Sequence, residues 1–213
     1  MNSVGSLIKM LPYNQKYIVF DTETEGLNLH SSRPWQLAWI VCEGNRVLER
    51  HDRYISFKNL EVSPYIEELT GFSWDYYNKV KESPRKVWGD FKKYLYDPQY
   101  KVIGQNLLGF DVYMIAELQR MLGETPDYSY LNRIYDTRAL GKACREELRK
   151  PKNNFLSWQY KIIHDRSLKS RVSQNQLLKY FGIDFDEEKL HNAMYDIEMC
   201  YKVFVELKKT MGL

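Results

Sequence analysis

Cysteine is scarce in this sequence. There are three, Cys42, Cys144 and Cys200, widely spaced and without a Cys-x-x-Cys pair. An odd count at such spacing argues against a disulfide framework and reads as reduced, mostly buried thiols. Long apolar runs are missing too. Nothing approaches the ~20 residues that cross a bilayer, so no membrane partner is expected. The first residues, MNSVGSLIKML, carry neither a long apolar segment nor a small-residue cleavage site, which argues against a secretion signal. The expected location is cytoplasmic. Repeats, low-complexity tracts and linkers are also absent. A chain of 213 residues supports one well-packed domain and hardly two, so 1–213 reads as a single domain.

Apolar residues make up 44% of the chain, enough for a real core, and charged residues 28%. The formal net charge of +3 is mild, but its distribution is uneven. The stretch 141–171 holds nine Lys or Arg (Lys142, Arg145, Arg149, Lys150, Lys152, Lys161, Arg166, Lys169, Arg171) against Glu146, Glu147 and Asp165. That leaves +6 in this segment and −3 in the rest. A basic strip beside an acidic body suits a polyanion, although charge clusters of this size are often only solvated loops.

Periodicity sets out the elements. Tyr17-Ile18-Val19-Phe20 is an apolar run that predicts a central strand buried on both faces. A second strand is predicted over 36–42 and a third over 46–55, joined by Glu43-Gly44-Asn45 as a hairpin turn. Ile66 to Thr70, closed by Gly71, predicts a short helix. Ser83-Pro84 opens another, with Trp88, Phe91, Tyr94 and Leu95 at helical spacing. A fourth strand is predicted over 101–104, then a helix ending at Gly123. A fifth strand over 131–135 ends at Asp136-Thr137. A helix over 139–150, an irregular basic segment to about Arg171, a helix capped by Ser173 and stopped by Gly182, and a last helix over 192–209 complete the chain. Three antiparallel strands followed by strand–helix–strand–helix predict an α/β fold with a mixed five-stranded sheet flanked by helices.

Four acids stand where acids are costly. Asp21 and Glu23 close the first strand, and side chains two apart on a strand share a face. Two such carboxylates repel and resist desolvation; a divalent cation removes both penalties, and hard Mg²⁺ prefers oxygen ligands. Asp111 shares a helical stripe with Ile115, Leu118 and Leu122. Asp196 shares another with Ala193, Cys200, Val203 and Leu207. Each stripe that must pack on the sheet therefore carries a carboxylate in its first turn. His191 lies five residues before Asp196, in a predicted loop, and histidine is the usual general base. Each signal alone is common: solvated acids at a strand end, a helix N-terminal charge, a surface histidine.

Together and in this order they are specific. FDTETEGL (20–27), GQNLLGFD (104–111) and HNAMYD (191–196) resemble the motifs of the DEDDh exonucleases, the family of the bacterial proofreading subunit, ribonuclease T and oligoribonuclease. IEELTGFS after the hairpin, YDT at 135–137 and LLKYFGI before the last motif add to the likeness, which spans roughly 16–207. The sister class has tyrosine four residues before the last Asp; here that position is Asn192, so the histidine class is indicated. Three residues, Leu107, Leu108 and Gly109, separate Asn106 from Phe110-Asp111. That spacing, with RPWQLAWI in the second strand, is more similar to exonuclease I and some phage exonucleases.

The resemblance implies a ribonuclease-H-like fold and a two-metal 3′→5′ exonuclease releasing nucleoside 5′-monophosphates. It implies Asp21, Glu23, Asp111 and Asp196 as ligands to two Mg²⁺ (or Mn²⁺) ions and His191 as general base. It further implies that Thr24 contacts the terminal 3′-hydroxyl through its backbone and that Leu27 and Phe110 sandwich the last base. Glu25 departs from the threonine often found at its position. The implied partner is nucleic acid, with single-stranded DNA favoured and RNA possible. An exoribonuclease or oligoribonuclease, and a catalytically inactive binding module, remain the alternatives. A polymerase partner, strand preference and oligomeric state are left open. The basic segment is expected to hold the strand upstream of the 3′ end.

Overall fold

A computed structural model describes residues 15–213. The MNSVGSLIKML stretch, and the reading that it carries no secretion signal, lies outside the described residues. Five strands form one sheet: β1 (Lys16–Thr24), β2 (Pro34–Glu43), β3 (Arg46–Tyr54), β4 (Tyr100–Gly104) and β5 (Ile134–Asp136), in the order β3-β2-β1-β4-β5. The first three pair antiparallel, while β4 runs parallel to β1 and β5 parallel to β4. Eight helices accompany them among the described residues: α1 (Pro64–Thr70), α2 (Trp74–Val80), α3 (Pro84–Leu95), α4 (Asp111–Met121), α5 (Thr137–Arg145), α6 (Phe155–His164), α7 (Gln174–Tyr180) and α8 (Ala193–Met211). The mixed five-stranded α/β architecture is the expected one.

Alternation along the central strand divides the core. Ile18 and Phe20 pack with Phe91 of α3 and Ile115 and Leu118 of α4 on one face. Tyr17 and Val19 pack with Leu140 of α5, Leu177 of α7 and Cys200, Val203 and Phe204 of α8 on the other. The edge strand β3 is exposed along much of its length and carries Arg46, Glu49, Arg50, Asp52 and Arg53. Charge on an open edge discourages pairing with another chain.

Register decides where the site forms. β4 pairs with β1 only from Lys16 opposite Tyr100 to Val19 opposite Ile103. β2 follows β1 on to Thr24. The last residues of β1 thus run past the end of their parallel neighbour, and the turn after β4 fills the space beside them. Carboxyl ends of parallel strands are where α/β sheets place ligand sites. Gly104 makes the close approach possible, because a Cβ there would lie 2.8 Å from the Phe20 carbonyl oxygen.

Several expectations need correction. The segment after α5 is not irregular throughout: α6 occupies Phe155–His164. Its start, Asn154, is a common cap residue, but it is in the left-handed region at φ 59° and makes no side-chain cap bond. Its apolar residues (Phe155, Leu156, Trp158, Tyr160, Ile162 and Ile163) cover one broad side, and Ser157, Lys161 and His164 form the exposed side at helical spacing. α5 stops at Arg145 rather than near Lys150. Glu147 turns left-handed at φ 55° and the Leu148 N–H donates back to the Ala143 carbonyl at 2.8 Å, which closes the helix. β5 begins only at Ile134, because Leu131–Arg133 is a 3₁₀ turn. The Arg133 guanidinium there satisfies the Asp97 carbonyl at 3.0 Å. α2 was not anticipated. It is one short helix capped by Ser73, whose only buried member is Tyr77. Trp35, Trp39 and Trp88 are buried as expected of core tryptophans, whereas Trp74 is exposed. Cys42 and Cys200 are buried, Cys144 is half-buried, and all three are free thiols.

Gly104→Ala should lower stability by about 1–3 kcal/mol through overpacking against backbone. Urea unfolding would measure it, and an unchanged midpoint would remove Gly104 as the spacer between β1 and β4.

Candidate active site

The protruding end of β1 gathers acids from three elements. Asp21 and Glu23 point to the α8 face, as their two-residue spacing requires. Asp111 opens α4 and is only 2% exposed. One of its oxygens accepts both the Thr22 N–H at 3.0 Å and the Thr22 hydroxyl at 2.7 Å. Thr22, the residue between the two β1 acids, therefore fastens the α4 carboxylate to the strand end. Asp196 sits in the first turn of α8. Its carboxylate accepts the His191 N–H at 3.1 Å and the Gln174 side-chain amide at 3.1 Å. Gln174 also donates to the Asp196 carbonyl at 3.0 Å, so α7 holds the start of α8 in place.

Burial raises all four acids, and repulsion within the group adds to it at Asp21 and Glu23. Asp21 stands well above the usual carboxylate range, first through desolvation, then through Asp111, Glu23 and Asp196. Glu23 is pushed up to about 8 by desolvation and by Asp196 and Asp111. Asp111 rises to about 7 through desolvation, against the lowering pull of its Thr22 bonds. Asp196 rises to about 6 through desolvation, offset in part by the His191 N–H. Among the described residues, Glu23 has no hydrogen-bond partner that would favour its ionised form.

These acids feel one another, yet no three His, Cys, Asp or Glu side chains among the described residues already form a ready metal shell. The donor set fits a hard divalent ion: all oxygen, desolvated, and short of other partners.

The remaining predicted residues fall as follows. His191 is exposed in the loop ahead of α8, with a left-handed backbone at φ 70°. It lines a cleft of about 650 Å³ together with Tyr65, Leu69 and Gly71 at α1. Thr24 is buried at the end of β1, and its hydroxyl donates to the Gly26 carbonyl at 2.6 Å, shaping the following loop. Leu27 on that loop is 86% exposed, an apolar side chain with nothing over it. Phe110 is half-buried just before Asp111. Glu25 is engaged elsewhere. It accepts the Arg33 Nε–H at 2.6 Å and the Glu61 N–H at 2.7 Å, clasping the Leu27 loop to the segment before α1.

Sequence reading missed three supports: Thr22, Gln174 and Asp136. Asp136 is fully buried at the end of β5. It accepts the N–H groups of Asn106 at 3.1 Å, Leu108 at 2.9 Å and Arg138 at 2.9 Å. It thus ties the turn that delivers Asp111 to the start of α5. The Asp-Thr pair at 136–137 was visible as a motif, but its partners lie about thirty residues away in the chain.

Comparison with known proteins can now be set against this geometry. Residues 18–204 match the RNase_T exonuclease family. The chain belongs to that family. PolC-type DNA polymerase III proteins of Staphylococcus haemolyticus and Staphylococcus aureus are 24% identical over 195 residues, covering 92% of this chain and 11% of theirs. A product-bound exonuclease I superposes with a TM-score of 0.70 at 19% identity, over 93% of this chain and 44% of that one. A zinc-bound complex of E. coli exonuclease I with single-stranded DNA gives 0.71 at 21% identity, over 92% and 41%. The chain thus spans about a tenth of the polymerase relatives and under half of the exonuclease I chains. The fold is the ribonuclease-H-like one of exonuclease I, and the family is that of the DEDDh nucleases. Among the described residues no helix is long and apolar enough to cross a membrane.

Raised carboxylates give a sign to the pH dependence of the metal-free protein. A folded pKa above the unfolded one contributes stability at low pH that is lost as pH rises through the folded value. Stability in EDTA should therefore fall between about pH 4.5 and pH 8, the window set by Glu23, Asp111 and Asp196. Glu23→Gln should flatten the upper part of that fall, and Mn²⁺ should restore the wild type. Thermal melts across pH, with and without metal, measure it. Stability that rises toward pH 8 in EDTA would show that the carboxylates are not frustrated.

Proposed function

We propose that this nuclease is a metal-dependent 3′→5′ exonuclease that releases nucleoside 5′-monophosphates from single-stranded DNA. The observation that carries the reading is the convergence of Asp21, Glu23, Asp111 and Asp196, all raised by burial, with Asp21 and Glu23 raised further by their acidic neighbours, at the open end of β1. Membership of the exonuclease family supports it, as do relatives that are DNA polymerases and fold neighbours bound to oligonucleotides. The full activity of those longer proteins extends to this chain only as part of the proposal.

Asp21, Glu23 and Asp196 would hold one Mg²⁺ or Mn²⁺, and Asp21 with Asp111 a second. When bound, such ions neutralise charge, polarise the scissile phosphate and make water a better nucleophile. His191, on a loop, takes the proton from the attacking water. The His191 N–H bond to Asp196 couples the position of the base to that of a ligand. Leu27 and Phe110 hold the terminal base between them, in a contact tolerant of base identity. The Thr24 backbone meets the 3′-hydroxyl. The Glu25 clasp keeps the Leu27 loop in place before substrate arrives.

One assay tests this reading: 5′-labelled DNA and RNA oligonucleotides, linear and circular, with Mg²⁺ and product sizing. Linear single-stranded DNA should shorten from its 3′ end by single nucleotides, and circles should resist. Rapid cutting of circles would mark an endonuclease. Faster cutting of RNA would make the protein an exoribonuclease. No cutting at all would leave a binding module.

Asp21→Ala should abolish activity without unfolding the protein. His191→Ala should lower kcat by ~10²–10⁴. Its Mn²⁺ affinity by calorimetry should be unchanged, because His191 is not a ligand here. Loss of metal binding along with rate would make His191 a ligand and overturn its role as base.

A further inference from the structure

A cation-lined track leaves the acidic site along α5 and α7. Its inner part is a cavity of about 520 Å³ whose walls include Asn106, Arg138, Lys142, Arg171 and Gln174. Its outer part, of about 590 Å³, is walled by Arg145, Lys169, Arg171, Lys179 and Tyr180 among others. Ser170, Arg171 and Gln176 line both, so the two are continuous. No Asp or Glu lines either part.

Two residues of the inner part tie it to the acidic site. Gln174 is the residue that bonds Asp196, and Asn106 opens the turn that delivers Asp111. The cations are nearly free of acidic partners. Among the described residues, only Lys179 of the six has a carboxylate within 4 Å, that of Glu187 at 2.7 Å. Lys142 is buried and donates to the Asp165 carbonyl at 2.7 Å. The neighbouring acid Glu146 accepts the Ser170 N–H at 2.9 Å. At the outer end Tyr180 is half exposed, and the Arg145 guanidinium lies 5.4 Å from its ring centre. Such a ring among free cations suits a stacked base beside a phosphate.

The basic stretch 141–171 therefore divides between faces. Arg149, Lys150 and Lys152 line a separate cavity of about 740 Å³ with Met211 and Gly212 at the end of α8. Asp196 lies at the other end of α8, about 22 Å away at 1.5 Å per residue. Lys161 is exposed on α6 and lines neither part of the track.

We propose that the track from Arg138 and Arg171 to Lys179 and Tyr180 holds the single strand immediately 5′ of the nucleotide being removed. The Arg149–Lys152 face does not take part. Phosphates lie along the guanidinium and ammonium groups, and a base rests on Tyr180. This assignment rests on the exonuclease reading above, and it narrows the site expected from the sequence.

The test compares two triple variants of exposed residues outside the catalytic set. One is Lys169→Ala/Arg171→Ala/Lys179→Ala, and the other Lys150→Ala/Lys152→Ala/Lys161→Ala. Kd for a long oligothymidylate is measured across a salt series with Ca²⁺ in place of Mg²⁺. Cleavage of a dinucleotide is measured separately with Mg²⁺. Each single-strand phosphate contact contributes ~0.7 to the salt slope, so the first variant should flatten it by up to ~2 units. Its dinucleotide cleavage should fall far less than its affinity for the long strand, and the second variant should keep the wild-type slope. Tyr180→Leu should weaken binding without altering the slope. A wild-type slope in the first variant, an equal loss in both, or an equal loss with a duplex ligand would overturn the track. Absence of cleavage in every protein would instead fail the exonuclease reading, and the binding slopes would still judge the track.

Discussion

Repulsion among four desolvated carboxylates at the end of β1 is the constraint around which this molecule is arranged. An acid moved from water into a protein loses hydration, and a second acid nearby makes ionisation harder still. Asp21 and Glu23 share a strand face, while Asp111 and Asp196 come from opposite layers of helices. Among the described residues no Lys or Arg pairs with them: their partners are the Thr22 hydroxyl, backbone N–H groups and the Gln174 amide. Such neutral donors orient a carboxylate without cancelling its charge. An arginine in the same place would neutralise the site and leave little for a metal to gain. The fold thus keeps an electrostatic cost that, on the proposed reading, an added cation would relieve. Local violations of this kind are where a sequence gives up stability for function.

The register of the sheet makes the problem soluble in one place only. Had β4 followed β1 to its end, Asp21 and Glu23 would lie beside paired backbone on both sides. Because the pairing stops at Val19 and Ile103, the turn from Asn106 to Phe110 occupies that space. Asp136 holds the turn by its N–H groups, and Gln159 in turn binds the Asp136 N–H at 2.8 Å. Asp136 is a fully buried acid with several backbone donors, whereas Glu23 has none. The two carboxylates have the same chemistry and opposite purposes. One is satisfied and fixes structure; the other is left free for the proposed metal ion.

Much of this was legible in the sequence, for a definable reason. An acid on an apolar stripe breaks a period, and a broken period is visible without a structure. That is why Asp111 and Asp196 could be singled out, and why Asp-x-Glu closing a buried strand drew notice. The strands and the helices α1, α3, α4, α7 and α8 were readable because caps, glycines and stripes agree there. Supports were not readable, because their meaning lies in a distant partner. Thr22 serves an acid 89 residues away. Gln174 looks like an ordinary helix residue until α8 is laid against it. α6 begins at an asparagine and carries an exposed polar stripe of Ser157, Lys161 and His164, so its signal was in the sequence, set among basic residues that read as a loop. Glu25 could be seen to depart from the related sequences, but its clasp with Arg33 and Glu61 belongs to the fold alone.

Charge distribution raises a last question, since a nuclease with an acidic centre must still attract a polyanion. A uniform excess of +3 would do little for this, screened as it is within ~8 Å at physiological salt. Local separation does more. The carboxylates face the open end of β1, and the acid-free walls of the α5–α7 groove begin one residue from them, at Gln174 beside Asp196. A strand approaching from solvent would meet positive potential along the groove before it meets the acids. Its own phosphate would then arrive at the acids together with the cations that neutralise them. Gln174, neutral and able to donate, suits the boundary between the two fields: a lysine there would pair with Asp196, and a glutamate would extend the repulsion into the groove. The same amide that fixes the first turn of α8 therefore keeps the acidic centre and the basic approach adjacent without letting either cancel the other.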